Sequence, residues 1–303
     1  MTSAFKKWLW SCWERLAKLA APSYIVGEKL SDALRISREL ASQGISTVFC
    51  YWNDLEESPQ QITAKYLDAV DAARVEKMNS YISLKVPALN FNRQCLNRIL
   101  DGGINNNIHL HFDSHAPEAA DDTFDVIKGW LSRGVRPGCT LPGRWLRSLR
   151  DCDWAVENGL PVRVVKGQWD DQTNPDKDLR KGFLAVIDKL AGRARHVAVA
   201  THDIVLAKEA LGRLLNAGTP CELELLYGLP LEPSCRTARA MGVHVRLYLP
   251  YGHGWIPYCL SQVKGNPRIL WWVCVDMLRR SLPARGRGQI NAESSSMKFQ
   301  CKG

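Results

Sequence analysis

Pro161-Val162-Arg163-Val164-Val165-Lys166-Gly167 begins as a short β-branched run and turns polar at Lys166-Gly167. A helical pattern over Lys177–Leu190 follows, and then a second β-rich run, His196-Val197-Ala198-Val199-Ala200. Strand, helix, strand in that order is one β/α unit, which places its two strands parallel and adjacent.

The same unit recurs in both directions along the chain. Other apolar or β-branched runs lie at Thr47–Tyr51, Tyr81–Val86, Ile108–Phe112, Gly138–Leu141, Cys221–Leu225 and Val243–Leu249. Helical patterns at Gln60–Lys77, Glu118–Ser132 and Ile204–Asn216 alternate with them. Asn158-Gly159-Leu160-Pro161, Ala217-Gly218-Thr219-Pro220 and Met241-Gly242 punctuate helix ends. Eight strands result, and their starts recur about every 28 residues, the length of one unit in an eight-fold barrel. A doubly wound sheet is the competing architecture, but no GxGxxG turn follows the first strand. The expected fold class is therefore α/β, a (β/α)8 TIM-type barrel with extra N-terminal helices. The helix at Glu28–Gln43 precedes the first strand and is expected outside the barrel or capping its floor.

Composition narrows the class further. The 303 residues are 46% hydrophobic and 23% charged, an ordinary globular balance. The longest apolar run, Ile269 to Val275, is too short to span a bilayer. None of the ten cysteines forms a CxxC, which removes zinc-ribbon and thioredoxin readings. Without a cleavable signal, a reducing cytoplasm is the expected compartment. Much of the +9 charge comes from the two ends, including Lys6, Lys7, Arg279, Arg280, Arg285 and Arg287. A nucleic-acid partner is not expected, because such a domain concentrates its cations on one folded face. Residues 1–21 read as a basic, Trp-rich amphipathic helix with Trp8, Cys12 and Leu16 on one stripe. It is expected to pack on the main domain or a partner, or to lie peripherally on a membrane surface. The barrel takes 22–265, and 266–303 is a C-terminal extension with a flexible tail from about 279.

Reactive groups of such barrels sit at the carboxyl ends of the strands. Here those ends carry Asp54, Lys85, Asp113, Arg163 with Lys166, Thr201-His202, Glu224 with Tyr227, and Tyr248 with Tyr251. Caps and turns explain some of these residues, but many ends converging on one mouth point to a site. His109, His111 and Asp113 share one strand face, as in metal-dependent hydrolases. No second cluster completes a ligand set, so histidines held inside the barrel are expected, and no metal. Arg163, Lys166 and Gly167 suit an anion or an electron-rich ring at the mouth.

Taken together, these stretches resemble the proline dehydrogenase family, flavoproteins with a distorted (β/α)8 barrel, over roughly residues 22 to 265. Tyr24-Ile25-Val26-Gly27-Glu28 is similar to the family's opening signature, and Tyr81-Ile82-Ser83-Leu84-Lys85-Val86 to its lysine strand. Phe112-Asp113 resembles the aspartate strand end, and Arg163-Val164-Val165-Lys166-Gly167 the RLVKG motif. Ala200-Thr201-His202-Asp203 resembles ATHN, Glu222 to Gly228 resembles EFQMLYG, and Val245 to Gly252 resembles RVYVPYG. The resemblance implies FAD bound non-covalently across the mouth. Arg163 would lie near the flavin N5, and Lys166, Gly167 and Gln168 along the ribityl and pyrophosphate path. Thr201, His202, Ser114 and Glu224 would add cofactor contacts. Lys85, Asp113, Tyr248 and Tyr258 would surround the substrate, with Asp113 and Arg163 as the catalytic pair.

Departures from the family pattern matter as much. Ser261 and Gln262 stand where the family carries an arginine pair on the substrate carboxylate. Each lost charge-assisted contact is worth about 1.5–3 kcal/mol. Pro142 replaces a flavin-contacting glutamine, Glu224 the glutamine of EFQMLYG, and Trp169 a tyrosine. The expected activity is FAD-dependent oxidation of a C–N bond of proline, or of a proline-like cyclic amine that is carrier-tethered or carboxylate-modified. A quinone acceptor at a membrane would suit the Trp-rich segment, and molecular oxygen would need no anchor. Two other classes stay open from the residues alone: a degenerate barrel serving as a binding or scaffold subunit, and a metal-dependent hydrolase.

Overall fold

The computed structural model describes residues 26–171, 173 and 178–254. Eight parallel strands close into one barrel in sequence order, with β1 (Ser46–Tyr51) hydrogen-bonded to both β2 (Ser80–Leu84) and β8 (His244–Tyr251). Between them come β3 (Leu110–Phe112), β4 (Gly138–Pro142), β5 (Val162–Val165), β6 (Val197–Ala200) and β7 (Cys221–Leu226). The outer helices are α1 (Leu30–Ala41), α2 (Pro59–Val75), α3 (Arg93–Asn106), α4 (Ala120–Leu131), α5 (Ser148–Glu157), α6 (Leu179–Leu190), α7 (Ile204–Asn216) and α8 (Glu232–Ala240). The expected barrel and its eight strands are thus what the chain forms.

Alternation along each strand explains the closure. Phe49, Ile82, Leu84, Phe112, Leu141, Val164, Val199, Leu223, Leu225, Leu247 and Leu249 are buried and belong to one apolar shell with helix residues such as Ile62, Tyr66, Ile99, Ile187 and Leu214. The intervening positions hold Tyr81, Ser83, His111, Arg163, Glu222, Glu224, Arg246 and Tyr248; Arg163 bonds Tyr81 and Ser83, Tyr81 bonds Glu224, and Tyr248 bonds Asp113, all between non-adjacent strands across the lumen. One face of every strand meets helices and the other meets a polar interior.

Helix starts follow local chemistry. Ser58 and Gln61 form a reciprocal capping box ahead of Pro59 in α2, and Asp203 accepts from the Leu206 amide at the start of α7. The helix expected from Lys177 begins at Leu179, because Asp178 accepts from the amides of Arg180 and Lys181 and ends the preceding loop. The helix expected from Glu118 begins at Ala120, after a single 3₁₀ turn at Pro117–Ala119. At the end of β4, Gly143 lets α6 approach closely: a Cβ there would fall 2.5 Å from the Phe183 backbone nitrogen.

α1 lies outside the barrel, not on its floor. It packs against both β1 and β8, with Ala33, Ile36 and Leu40 buried. Ser37 Oγ sits 2.7 Å from Thr47 Oγ1, and the Gly252 amide donates to Gly27 O at 3.2 Å. The helix thereby covers the closing seam of the sheet. The Trp-rich segment 1–21, the extension 266–303, Tyr258, Ser261 and Gln262 lie outside the described residues.

Candidate active site

Arg163 sits at the centre of the lumen near the carboxyl ends of the strands, with a side chain only 3% exposed. Its Nη1 donates to Asp113 Oδ1 and, at 3.1 Å, to Ser83 Oγ. Nη2 donates to Tyr81 Oη at 3.0 Å. Nε lies 2.7 Å from Glu224 Oε1, close enough for a strong ion pair although its N–H is not aligned for a hydrogen bond. The guanidinium carbon stands 5.2 Å from the Tyr248 ring centre and 5.7 Å from that of Tyr81. One cation is therefore held by two carboxylates from opposite sides of the barrel.

Those carboxylates differ in environment. Asp113 accepts from Ser83 Oγ at 2.5 Å and from Tyr248 Oη at 2.7 Å, with Cys50 Sγ at 3.6 Å. Burial alone would push its carboxyl upward, but Arg163 and the Ser83 and Tyr248 hydroxyls outweigh that and hold it below the usual range. Glu224 accepts from Tyr81 Oη at 2.5 Å, and there burial prevails over Arg163 and raises it. Burial pushes the Cys50 thiol up to about 12, leaving it protonated. A second pair, Arg246 with Glu222 at 2.8 Å, lies deeper, its guanidinium also donating to Thr47 O and Asn79 O.

The histidines have partners of their own. His111 Nε2 is 3.0 Å from Thr140 Oγ1, and the rings of His109 and His111 lie against Tyr81. Among the described residues no three His, Cys, Asp or Glu side chains converge as metal ligands. Burial, reinforced by Arg246, lowers His109 to about 4; burial also lowers His115 to about 4 and, with Arg163, depresses His111 well below the usual range. In the unfolded chain these groups titrate near pH 6.5. Their folded values lie below that, so the unfolded state binds more protons in between. The stability they contribute is complete above about pH 6.5 and is lost as pH falls toward 4. A melting temperature that drops steeply between about pH 6.5 and 5, before most unfolded carboxylates titrate, is expected. A flat profile across that interval would contradict it.

The remaining expected residues form a rim. Lys85 Nζ lies 4.5 Å over the Trp52 ring, and its backbone amide donates to Tyr66 Oη. Lys166 pairs with Asp203 at 3.2 Å. Gly167 takes φ +95° and passes so close to β4 that a Cβ would lie 2.9 Å from Pro142 Cβ. The exposed Gln168 gives its carbonyl to Arg144 Nη1 at 3.1 Å. Thr201 Oγ1 accepts from the Asp203 amide, and His202 Nε2 accepts from the Leu226 amide at 2.9 Å. Ser114 lines a small cavity beside Asp113, with His115, Phe124, Thr140 and Trp145. Asp113, Arg163, Glu224 and Tyr248 thus meet directly, while Lys166, Gln168 and His202 stand outside that cluster. Tyr81 and Ser83 were not singled out from sequence as site residues. The available signal was their parity with Lys85 in β2.

The comparisons follow from this geometry. No profile of a known protein family matches the chain. Proline dehydrogenase 2 of Bacillus subtilis (strain 168) is 22% identical over 267 residues, covering 83% of this chain and 88% of the relative. The proline dehydrogenase of Deinococcus radiodurans is 23% identical over 284 residues, covering 86% and 90%. Among solved structures, proline utilization A (PutA) from Bdellovibrio bacteriovorus, inactivated by N-propargylglycine, matches with a TM-score of 0.70 at 17% identity, over 80% of this chain and 32% of that one. The chain spans about a third of that structure's length. The barrel is thus similar to proline dehydrogenases in sequence and to a PutA structure in fold. The strand-end motifs and these comparisons agree in likening the chain to proline dehydrogenases at low identity.

Proposed function

We propose that the protein is an FAD-dependent oxidoreductase that converts a C–N bond of proline or a proline-like cyclic amine to the imine. The observation that carries this reading is the buried Asp113–Arg163–Tyr248 constellation at the carboxyl end of the lumen. The residues present suit a flavin dinucleotide. Gly167 keeps the β5 exit narrow, and Arg144 and Lys166, each paired with an aspartate, stand at the same edge. Arg163, Lys166, Gly167, Gln168, Ser114, Thr201, His202 and Glu224 would hold the cofactor. Bound FAD supplies two-electron hydride acceptance.

The chain's own groups divide the remaining work. Asp113, kept ionised, attracts and orients an ammonium, and its lowered affinity for protons suits it to positioning more than to proton removal. Tyr248 fixes the carboxylate oxygen that faces the amine. Lys85 and the tyrosine rings complete the walls. Ser261 and Gln262 in place of an arginine pair favour a carrier-tethered or carboxylate-modified amine. A quinone acceptor, with peripheral membrane contact through residues 1–21, completes the reading.

Purified protein is expected to be yellow and to bleach on dithionite. Colourless protein that takes up no FAD on reconstitution would overturn the assignment and leave the barrel as a binding subunit.

A further inference from the structure

We propose that Glu224 is a specificity-determining residue, one that turns this barrel mouth away from free amino-acid carboxylates and toward cationic amines whose carboxylate is absent or masked. The proposal rests on the oxidoreductase reading of the same site and deepens it by naming the substrate class.

Four charges govern the upper lumen among the described residues: Arg163, Lys85, Asp113 and Glu224. They sum to zero. Glu224 is 3% exposed, with one oxygen 2.7 Å from Arg163 Nε and the other accepting from Tyr81 Oη at 2.5 Å. Asp113 and Ser83 occupy the Nη1 side of the same guanidinium, and Tyr81 Oη accepts from Nη2. Arg163 therefore faces a carboxylate on each flank and is only 3% exposed. Lys85 lies over the Trp52 ring. Farther out, Lys166 pairs with Asp203, and Arg144 pairs with Asp170.

A zwitterionic amino acid needs both an anion for its ammonium and a cation for its carboxylate. Asp113 meets the first need, since its side chain keeps 12% exposure and, among the described residues, its Oδ2 is shared only with the Tyr248 hydroxyl and the Cys50 thiol. Among the described residues the second need falls to Lys85 alone while Glu224 cancels the charge of Arg163. A neutral amide at this position would leave the quartet at +1 and restore the field that a carboxylate requires. In a poorly solvated lumen a unit charge acts over several ångströms with little screening. The same Glu224 charge adds to the attraction for an ammonium.

The test is calorimetric titration of the flavin-loaded protein, native and Glu224→Gln, with pyrrolidine, proline methyl ester and free proline. Native protein should bind the two carboxylate-free cations about tenfold or more tighter than proline. In E224Q, proline should gain about tenfold while pyrrolidine weakens. Native protein that binds proline as tightly as pyrrolidine overturns the proposal, and so does an E224Q variant with no gain for proline. The native comparison stands even where the variant fails to fold. Tight proline binding with flavin reduction would refute only the role of Glu224. Absence of binding by all three amines would remove the oxidoreductase reading with it.

Discussion

Replacing Arg163 with methionine should lower stability by about 3–5 kcal/mol, the usual consequence of removing one partner from a buried ion pair. Asp113 and Glu224 would then stay inside the barrel without their shared cation. The hydroxyls of Ser83, Tyr81 and Tyr248 satisfy oxygen lone pairs but cancel no charge. For a barrel of this size the melting temperature should fall by roughly 10 °C. The sign of the pH response is specific. With Arg163 gone, both carboxyls take up protons more readily and become neutral as the solution is acidified. The gap between variant and parent should narrow on acidification, opposite to the acid loss expected from the buried histidines of the parent. Melting curves for both proteins at several pH values decide this. A variant that melts within about a degree of the parent at neutral pH would show that Arg163 carries no such burden.

The second large effect falls on turnover. Asp113→Asn keeps the shape of the side chain and removes its charge. Arg163 retains Glu224, so the fold should survive with a modest drop in melting temperature. The amine site loses its anion, and an amide nitrogen faces Tyr248 or Cys50 in place of an acceptor. Turnover of pyrrolidine, measured as kcat/KM with an artificial acceptor, should fall by about 10² to 10³, comparable to removing one preorganised electrostatic partner. The melting curve of the same variant separates this from unfolding. A change of only a few-fold in kcat/KM with an intact fold would remove Asp113 from the amine site.

Much of the architecture was legible in sequence because the barrel imposes one repeated constraint. Every strand must present alternate apolar residues to a helix, and runs such as Val162–Val165 and Val197–Ala200 do so with little ambiguity. The chemical residues at positions 113, 163, 224 and 248 stood out because a charge or phenol at the end of an apolar run is seldom idle. Tyr81 and Ser83 did not, because tyrosine and serine inside a strand look the same whether they face a helix or the lumen. Glu224, expected as a cofactor contact, also has protein partners that sequence did not announce, Arg163 and Tyr81. That pairing links residues 61 positions apart and only closure of the barrel brings them together. Amphipathicity announced α1 as a helix with one buried face, yet nothing local says which surface that face will meet. The start of α6 had a readable signal in Asp178, one residue ahead of the first turn.

The seam helix also sets an order of events. α1 leaves the ribosome about 200 residues before β8, so only β1 of its two partner strands is at hand soon after it is made. Ala33, Ile36 and Leu40 have half of their cover at most until the last strand arrives. Closing so long a loop is slow, since chain entropy is surrendered before the contact repays it. The stave that locks this cask is cut first and hammered home last.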